Sequence, residues 1–573
     1  MSLSSIRSWF AKGNRAQWCV FGLLALMLFV KCVLFHWFAC HSILISSIWK
    51  KPFVAAAFYL PKIAISCFYA SLIFLLKDKR WIILLSFLID VWLLANLVYI
   101  RTNNLYLDVY ALSMAGNMSG FWNSVLIFIE WKDIIFFIIS ALISIIIWLL
   151  NSKKRNVLLW GVLLMFSVVF HYLGEWCHNK SQDYPFIILN TISRKGRSTI
   201  YGVDFKSNVE LASILYSPFY IFSDFIQFNK DRNCTNIMTD QDIKKCDTFI
   251  NHTHPNVKVD GLIIIIVESL EDWVVRPEIM PNLWKITQFN HIFYASRIKT
   301  QTISAESADG QMIINTGLLP ISEGATCYRF PFVTFPGIMH NVTSNAITIL
   351  PHQTDVWNQT MMSPAYGYDT TIVCSDVDTI LFHKLNEIID SGIRNIQCIT
   401  MSTHSPFSGC KYSSLTTPKD MPNVMSDYIR AFNALDYGMS QFINRIENDT
   451  SLATYTIIIT GDHRIFHTEK RDLFIEYTKK SDQNYSVQYE STPLIIYSPS
   501  IEGNIQITDT CYQMDIYPTI MHLIGCEDYY WKGFGVNLLD SVARHNRPIS
   551  EQEAYRLSDL MIRSDYFRQY LGK

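Results

Sequence analysis

The chain has 573 residues, of which 50% are hydrophobic and 17% are charged, with a formal net charge of −1 and a sequence pI near 6.9. This near-neutral balance provides no global field for nucleic acid, so a nucleic-acid-binding protein is excluded as a leading class and no nucleic-acid partner is expected. The length exceeds that of a usual single domain, and the long apolar blocks lie before about residue 176. Two structural parts are therefore expected.

The first part contains apolar runs, most of them near the roughly 20 residues that a helix needs to cross the hydrocarbon core. Five such runs predict five transmembrane helices: Trp18 to Ala39, Phe53 to Leu76, Trp81 to Ile100, Ile134 to Leu150 and Val157 to Leu173. A cleaved signal peptide is the alternative for the first run, but more runs follow and no small-residue cleavage site stands out. Lys31 and Lys62 lie within the runs and are expected to snorkel or to face a neighbouring helix, and no paired charges are expected in the spans.

The distribution of Lys and Arg predicts the orientation of these spans. With the N-terminus inside, the inner segments carry more cations than the outer loops, which is the usual arrangement. An odd number of spans then places everything after the fifth on the outer face. Disulfides can persist there, and Cys234 and Cys246 are close enough in sequence to pair, whereas the sequence does not assign the other cysteines.

The amino-acid composition changes after the spans. Residues from about 177 to 255 are polar and irregular and predict a connector near the membrane. After Asp260, short continuous apolar runs bounded by polar residues predict parallel strands buried on both faces. An α/β sandwich is the natural architecture for such strands. The runs are Leu262 to Val267, Ile396 to Met401, Tyr455 to Thr460 and Leu494 to Tyr497.

Three of these strands lead into side chains that carry chemistry. The first leads into Glu268, the second into His404, and the third into Asp462 and His463. In open α/β sheets, ligands bind beyond the carboxyl ends of the strands, so these residues can converge despite their separation in sequence. Carboxylate oxygens and an imidazole suit Zn²⁺ or Mn²⁺. The alternative is that Glu268 caps the next helix and that Asp462 and His463 lie in a solvated loop.

A nucleophile is expected near such a metal, because a metal ion can lower the pKa of a hydroxyl and polarise a phosphoryl or sulfuryl oxygen. The hydroxyl-rich segment Thr300 to Gln311 follows a strand-like stretch and precedes a helical one, Met312 to Thr316. Its four hydroxyls, on Thr300, Thr302, Ser304 and Ser307, compete for this role. A serine at a helix start is more often a plain N-cap, but a helix N-terminus also favours an anionic intermediate.

At this point the residues resemble a known family, the lipoteichoic acid synthase and phosphoethanolamine transferase branch of the alkaline phosphatase and sulfatase superfamily. The resemblance covers nearly the whole chain, and the order and spacing of its motifs together are specific. The motifs are Val267-Glu268-Ser269, Pro281-Asn282-Leu283, Ser307-Ala308-Asp309-Gly310-Gln311, Asn315-Thr316-Gly317-Leu318-Leu319-Pro320, Val356-Trp357-Asn358, Gly367-Tyr368-Asp369, His404-Ser405-Pro406-Phe407, Gly461-Asp462-His463, Thr492-Pro493-Leu494 and Asp515-Ile516-Tyr517-Pro518-Thr519.

The resemblance implies a role for each matching residue. Glu268, Asp462 and His463 would be metal ligands, and Ser307 would be both the nucleophile and the fourth ligand. The family's synthases usually have threonine at that position, so Ser304 and Thr302 stay open as alternatives. The substrate-binding candidates are His404, Trp357, Asn358 and His352. Many synthases have Trp-Asn-Arg where this chain has Gln359 in the third position, which weakens the case for a phosphoglycerol headgroup.

The resemblance also implies a division of the chain into domains. A five-helix transmembrane domain would span residues 1–176 and a membrane-proximal connector residues 177–255. An extracytoplasmic α/β sulfatase-like catalytic domain would span residues 256–545, and a C-terminal tail residues 546–573. The protein would be a multi-pass protein of the bacterial inner membrane, with its catalytic domain on the periplasmic or extracellular side.

The implied activity is the transfer of a phospho-headgroup, phosphoglycerol or phosphoethanolamine, through a covalent phosphoserine. One divalent metal ion, Zn²⁺ or Mn²⁺, would assist. The donor would be a membrane phospholipid and the acceptor an envelope glycan or lipid. The sequence does not choose the headgroup, the acceptor, the native metal or the oligomeric state.

Alternative functions remain open from the sequence. A sulfatase or a phosphodiesterase on the same fold would pass the group to water. Sulfatases of the formylglycine type need a Cys/Ser-x-Pro-x-Arg segment, which is missing at the candidate nucleophile, so sulfate hydrolysis is disfavoured. From a different class, the protein could be a catalytically inactive membrane scaffold or a transporter, and Asp90 inside the third span would be consistent with transport.

Overall fold

The computed structural model describes most of the chain. The described residues are 12–40, 52–76, 78–103, 107, 128–149, 157–181, 213–219, 221, 222, 225, 238–251, 261–303, 305–321, 325–341, 345–465, 469–481, 485, 487–526 and 529–571. They fall into two compact units, one formed by the described residues before 230 and the other by those from 238 onward. We call them the N-terminal unit and the C-terminal unit.

The N-terminal unit consists of apolar helices. They are α1 (Lys12–Cys40), α2 (Pro52–Phe74), α3 (Lys79–Asn103), α4 (Ile135–Leu149) and α5 (Val157–Ser181). Within the described residues, four segments are long and apolar enough to cross a membrane: Cys19–Ala39, Ala55–Phe74, Arg80–Arg101 and Trp131–Leu149. The fifth predicted span lies on α5, whose apolar section in the described part, Leu164–Gly174, is shorter. The helices make this a membrane-anchored protein.

One expectation about the spans is wrong, because they do contain a charge pair. The Lys31 ammonium on α1 donates hydrogen bonds to the Asp90 carboxylate on α3 and to the Ser140 hydroxyl on α4. All three side chains are buried, with Lys31 1% and Asp90 0% exposed. The sequence conceals this pair, because its members lie on helices far apart in the chain and nothing in either run indicates which faces meet. Lys62, by contrast, packs over the Phe58 ring of its own helix at 3.5 Å.

The C-terminal unit is built on one mixed sheet. In the described residues its strands are β1 (Leu262–Val267), β2 (Ile292–Lys299), β3 (Ala346–Leu350), β4 (Thr370–Val373), β5 (Asn395–Ile399), β6 (Thr456–Gly461), β7 (Ser491–Tyr497), β8 (Asn504–Ile507) and β9 (Cys511–Tyr512). The order is β4-β3-β5-β1-β6-β7-β2-β8, with β9 beside β2. The five neighbouring strands β4, β3, β5, β1 and β6 run parallel to one another.

Helices flank this sheet along the whole unit. They are α6 (Asp240–Asp247), α7 (Pro281–Ile286), α8 (Glu306–Thr316), α9 (Thr326–Arg329), α10 (Gln359–Ala365), α11 (Asp378–Asp390), α12 (Asn423–Asn448), α13 (Glu469–Lys480), α14 (Ile516–Leu523), α15 (Ser541–His545), α16 (Glu551–Arg563) and α17 (Arg568–Leu571). On α12, buried apolar side chains such as Tyr428, Phe432 and Leu435 recur at helical spacing and pack into the core formed with β1.

The central strands were predicted from continuous apolar runs in the sequence. Every residue of β1 is buried, because six consecutive apolar side chains suit a strand covered on both faces. The run Leu494 to Tyr497 also forms a strand, but β7 is antiparallel to both β6 and β2, so its predicted parallel direction is wrong. A continuous apolar run fits a buried strand in either direction, and its composition therefore cannot reveal which one forms.

Segments at both ends of the C-terminal unit pack against each other. On α6, Asp242 accepts from Arg556 at 2.8 Å and Lys245 donates to Glu553 at 2.7 Å, both on α16. Helices therefore form within the stretches predicted as connector and tail. Cys246 is buried on α6 without a disulfide in the described residues, and its candidate partner Cys234 lies outside them.

Candidate active site

The sheet brings three candidate ligands together at one edge. Val267 at the end of β1 pairs with Gly461 at the end of β6, so the residues that follow each strand emerge side by side. Glu268, Asp462 and His463 follow directly, and each offers a ligand atom within 4.8 Å of the others. His404 follows β5, the neighbour of β1 on its other side. The structure thus brings together the strand-end residues that the sequence singled out.

Ser307 completes this cluster from helix α8. Its hydroxyl lies 3.0 Å from Glu268 Oε2 and 3.3 Å from His463 Nε2. Thr302 forms no hydrogen bond to the three ligands within the described residues, and Ser304 lies outside them. Of the candidate hydroxyls that the structure describes, Ser307 is therefore the one placed to act with the triad.

Two features of the local sequence hold α8 in this position. The Asp309 carboxylate accepts from the backbone N–H groups of Ile303 and Ala305, at 2.9 and 3.1 Å, and so fixes the loop that enters the helix. Gly310 lets the helix touch the backbone of the ligand loop, because a Cβ there would lie 2.3 Å from the Asp462 carbonyl oxygen. The helix that carries the candidate nucleophile thus packs directly on a candidate ligand.

Ser269, the residue after the first ligand, contacts both carboxylates. Its backbone is left-handed, with φ of 57°, a conformation that L residues other than glycine adopt at some cost. From there its N–H donates to Asp462 Oδ1 at 2.8 Å and its hydroxyl donates to Glu268 Oε1 at 2.9 Å. The Tyr428 hydroxyl donates to its carbonyl at 2.8 Å. Sequence reasoning missed this role, because Ser269 served only as part of a motif.

Electrostatic interactions within the cluster are strong, because two buried carboxylates lie against one imidazole. Burial and the neighbouring Glu268 carboxylate raise the pKa of Asp462 well above its ordinary range. Burial also acts to raise the pKa of Glu268, but the charge of His463 outweighs it and holds this pKa below the usual range. Burial lowers the pKa of His463, whereas the Asp462 and Glu268 carboxylates raise it well above the ordinary value. Opposite charge favours the ionised form of both carboxylates, so a divalent cation suits this cluster.

A buried oxygen without a hydrogen bond supports the same interpretation. Asp462 is 1% exposed, and its Oδ2 has no hydrogen-bond partner within the described residues, although His463 Nε2 lies 3.6 Å away. Buried polar atoms almost always have a hydrogen-bond partner, so this carboxylate oxygen needs an explanation such as an ion. Two carboxylates, one imidazole and a hydroxyl form a donor set suited to a hard or borderline divalent cation. The residues present therefore fit a divalent metal ion.

Two further histidines lie near this cluster. The charges of His404 and Glu268 interact, and His404 Nδ1 lies 2.6 Å from the Ser405 carbonyl. Burial lowers the pKa of His352, while the Gln353 carbonyl and the charge of Glu268 act to raise it. Both imidazoles therefore lie close enough to Glu268 to interact with its charge.

The segment Val356–Asn358, which we call the tryptophan segment, adopts a strained backbone. Trp357 and Asn358 are both left-handed, with φ of 51° and 52°, and they form a short 3₁₀ turn before α10. The Asn358 side chain donates to the Cys327 carbonyl at 2.8 Å. Consecutive strained residues of this kind cluster at functional sites, where surrounding contacts fix them.

Gln359 stands where many synthases have arginine. Its side chain is buried in the protein interior. It is 2% exposed, its amide nitrogen donates to Gln311 Oε1 at 2.6 Å, and its Oε1 accepts from Gln311 and from Ser363. Gln311 lies on α8, so this amide pair joins the tryptophan segment to the helix that carries Ser307. The position is therefore a structural link in this chain.

Comparison with known proteins agrees with the fold. Two family models match, the lipoteichoic acid synthase N-terminal domain over residues 5–191 and the sulfatase domain over residues 321–526. The integral membrane lipooligosaccharide phosphoethanolamine transferase A of Neisseria meningitidis shares the fold, with a TM-score of 0.54 at 11% identity, covering 89% of this chain and 96% of that one. The fold and the sulfatase match define a protein of the alkaline phosphatase and sulfatase superfamily.

Curated relatives narrow the class. Lipoteichoic acid synthase 2 of Bacillus subtilis (strain 168) is 21% identical over 532 residues, covering 86% of this chain and 79% of the relative. Lipoteichoic acid synthase 1 of the same organism is 22% identical over 552 residues, covering 87% and 81%. Together these matches support the lipoteichoic acid synthase-like, phosphotransferase branch of that superfamily, whose members are enzymes. The predicted family and fold class are confirmed.

Proposed function

We propose that this protein transfers a phospho-headgroup from a membrane phospholipid to an envelope glycan or lipid, with Ser307 as the nucleophile. The observation that carries the proposal is the position of the Ser307 hydroxyl, within 3.3 Å of both Glu268 and His463. A membrane anchor in the same chain supports a lipid donor, because tethering raises the effective concentration of the serine near a substrate that stays in the bilayer. Relatives named as lipoteichoic acid synthases and a structural neighbour named as a phosphoethanolamine transferase support the same class of reaction.

The proposed metal site consists of Glu268, Asp462, His463 and Ser307, and it would hold one ion of Zn²⁺ or Mn²⁺. When bound, such an ion lowers the pKa of the hydroxyl that it contacts and polarises a phosphoryl oxygen. The unpartnered Oδ2 of Asp462 points to this ion more directly than any other feature of the cluster. Both carboxylates are held by Ser269, so they are oriented before any ion arrives.

In the first displacement, Ser307 Oγ loses its proton and forms a bond to the headgroup phosphorus. The bond from phosphorus to the diacylglycerol oxygen breaks, and the leaving alkoxide takes up a proton, giving diacylglycerol and a phosphoserine. In the second displacement, an acceptor hydroxyl forms the new bond to phosphorus and Ser307 leaves with a proton. His404 and His352 bind the phosphate or carry these protons, and Trp357 and Asn358 border the headgroup. Positioning and charge stabilisation provide most of the catalysis.

The location follows from the same proposal. With the N-terminus inside a bacterial inner membrane, the C-terminal unit works on the periplasmic or extracellular side, where envelope acceptors are found. A hydrolase of the same fold would use the same Ser307 adduct and pass it to water, so the acceptor step separates a transferase from a phosphodiesterase.

A mass experiment tests the nucleophile. The full chain is incubated in vesicles that contain labelled phosphatidylglycerol, phosphatidylethanolamine or an uncharged control lipid, and its intact mass is measured. We expect a gain of one phospho-headgroup from one of the two phospholipids, and no gain for Ser307→Ala. Thr302→Ala removes a hydroxyl from the same segment and serves as the matched control, which should be modified normally. An adduct that persists in Ser307→Ala would transfer the role to Ser304 or Thr302.

Metal analysis tests the site independently. We expect the purified chain to contain one Zn²⁺ or Mn²⁺ per molecule, and Glu268→Ala to lose it. A wild-type chain without stoichiometric transition metal, and an unchanged content in Glu268→Ala, would favour an inactive scaffold over an enzyme.

A further inference from the structure

A buried ion pair contacts the chain two residues after the candidate ligand His463 and belongs to none of the motifs. Glu271 lies three residues after Glu268, beyond the end of β1. Arg471 lies on α13, in the chain that follows His463. Their exposures are 0% and 3%, and the guanidinium donates directly to the carboxylate. Replacing a buried pair with apolar side chains is often neutral or stabilising, so stability alone does not explain why the pair is present.

Both members of the pair bind the backbone of one residue, Ile465. The Ile465 N–H donates to Glu271 Oε1 at 2.8 Å, and the Ile465 carbonyl accepts from Arg471 Nη2 at 2.5 Å. The remaining groups are also engaged, since Arg471 Nη1 donates to the Val487 carbonyl at 2.6 Å and the Trp273 indole donates to Glu271 Oε2 at 2.7 Å. The peptide groups on either side of Ile465 are therefore fixed in direction.

The peptide group before Ile465 is the one that contacts His463. The carbonyl of Arg464 lies 2.8 Å from His463 Nδ1. A carbonyl oxygen can only accept, so Nδ1 carries the proton in this contact, as it would in the contact with Glu306 Oε2 at 3.2 Å. In a neutral imidazole, Nε2 then keeps its lone pair, and Nε2 is the atom that faces Glu268 and Ser307. Hydrogen bonds of this kind set the tautomer and direction of metal-binding histidines.

We propose that the Glu271–Arg471 pair positions His463 as a metal ligand by fixing the Ile465 and Arg464 peptide groups that orient its ring. Neither side chain touches the reacting groups, so both are positioning residues rather than catalytic ones. The inference rests on the proposed metal site. It assigns a task to two residues that the family motifs leave out, and it explains why this guanidinium is buried.

The test is a titration of the full chain in detergent, stripped of metal and titrated with Mn²⁺ in a calorimeter. The variant Glu271→Gln/Arg471→Met removes both charges together, so no lone charge is left buried, and the amide keeps an acceptor for Ile465 or Trp273. We expect its Mn²⁺ affinity to fall by about 10- to 100-fold, the usual effect of losing a partner that orients a ligand. The visible spectrum of the Co²⁺-loaded variant should also shift, because the imidazole direction changes.

The matched control is Arg445→Met on α12, which breaks ion pairs to Asp390 at the end of α11 and to Asp449 just after α12. It should leave both the Mn²⁺ affinity and the Co²⁺ spectrum unchanged. If the double variant does not fold, Arg471→Lys decides, because it keeps the charge beside Glu271 but cannot bond both carbonyls. A smaller loss of affinity is expected for it.

The possible failures can be told apart. Unchanged Mn²⁺ affinity and an unchanged Co²⁺ spectrum in a folded double variant, or in Arg471→Lys, would overturn the positioning role while leaving the metal site intact. A wild-type chain that binds no Mn²⁺ and no Zn²⁺, or an unaltered affinity in Glu268→Ala, would overturn the metal site itself.

Discussion

Ser269 shows how much of the site depends on single side chains beside the ligands. The residue has a left-handed backbone, which costs about 1–3 kcal/mol for a residue other than glycine. In exchange, one hydroxyl and one N–H hold Glu268 and Asp462 in the same arrangement. Two buried carboxylates repel each other, and donors aimed at both reduce that repulsion before a cation binds.

Replacing Ser269 with glycine separates these two effects. Ser269→Gly relieves the backbone strain and removes the hydroxyl, while the N–H to Asp462 remains. We therefore expect an unchanged or higher melting temperature together with about a tenfold rise in the Mn²⁺ concentration needed for half-maximal headgroup transfer. Ser440→Gly, in the exposed part of α12, is the control for a general backbone effect. An unchanged Mn²⁺ requirement would show that the hydroxyl does not orient Glu268.

Asp272, which is not a candidate metal ligand, is expected to make the stability of the protein depend on pH. Burial raises its pKa to about 7, the Tyr294 hydroxyl and the charges of Arg276 and Arg297 act to lower it, and Glu271 acts to raise it. The folded state then holds a proton that the unfolded chain releases at about pH 4. This contribution to stability is complete below pH 4 and is lost as the pH rises through 7.

Asp272→Asn removes this dependence, because the amide does not titrate and still accepts from Tyr294. Between pH 5 and 7, the free energy of unfolding of the wild type should fall relative to the variant by about 1 kcal/mol per pH unit. Denaturant unfolding of the full chain in detergent, followed by tryptophan fluorescence, measures the difference. Asp376→Asn, at an exposed position, should instead parallel the wild type. Parallel curves for Asp272→Asn would contradict the prediction.

At the scale of elements, α8 and the loop after β6 form the site by direct backbone contact. Gly310 lies one turn after Ser307, and the space for its Cβ is already occupied by the Asp462 carbonyl. The Gln311–Gln359 pair holds the same helix against the tryptophan segment. A small displacement of α8 would therefore separate the hydroxyl from the ligands without unfolding the sheet.

Gly310→Ala tests this contact. The added Cβ would lie 2.3 Å from a backbone oxygen that cannot rotate away, so α8 must move. We expect headgroup transfer to fall by about 100-fold, the effect of a displacement of about 1 Å at a reacting group. Gly161→Ala is the control, because a Cβ there meets nothing within 4 Å. Full activity in Gly310→Ala would mean that the helix does not set the position of Ser307.

The strands and the site residues differ in how well they could be predicted from the sequence. β1, β5 and β6 were predictable because continuous apolar runs are buried on both faces, and the ligands were predictable because they follow those runs. β4 was not singled out, since its residues are only half-buried or exposed and include two threonines. The role of Arg471 could not be predicted, because its partner Glu271 lies 200 residues away in the chain and no local pattern connects them.

At the scale of the whole molecule, the chain combines a membrane anchor with a sulfatase-like domain. The anchor is not a set of plain apolar helices, because Lys31, Asp90 and Ser140 join α1, α3 and α4 in its interior. Such a pair is expensive in hydrocarbon unless both charges are present, so it specifies which helices meet. It gives the anchor a defined arrangement, which a simple tether would not need.

Removing one charge should destabilise the anchor more than removing both. Asp90→Ala leaves the Lys31 ammonium buried without its counter-charge and is expected to cost about 3–5 kcal/mol. Lys31→Met/Asp90→Leu should recover most of that loss. Unfolding of the full chain in mixed micelles measures both, and Asp78→Ala, at an exposed site, provides the control. Equal losses in the single and double variants would argue against a specific pair.

The same pair has a consequence for the order in which the protein is made. Lys31 lies near the middle of the first span, Cys19–Ala39, and its partner Asp90 is synthesised 59 residues later. A lysine at mid-membrane costs about 2.5–3.5 kcal/mol on insertion scales, so the first helix enters the bilayer with an unsatisfied charge. A nascent chain truncated after the second helix should therefore leave the insertion machinery less readily than one that includes the third. We therefore expect stable insertion of the first helix to depend on the third, which carries Asp90.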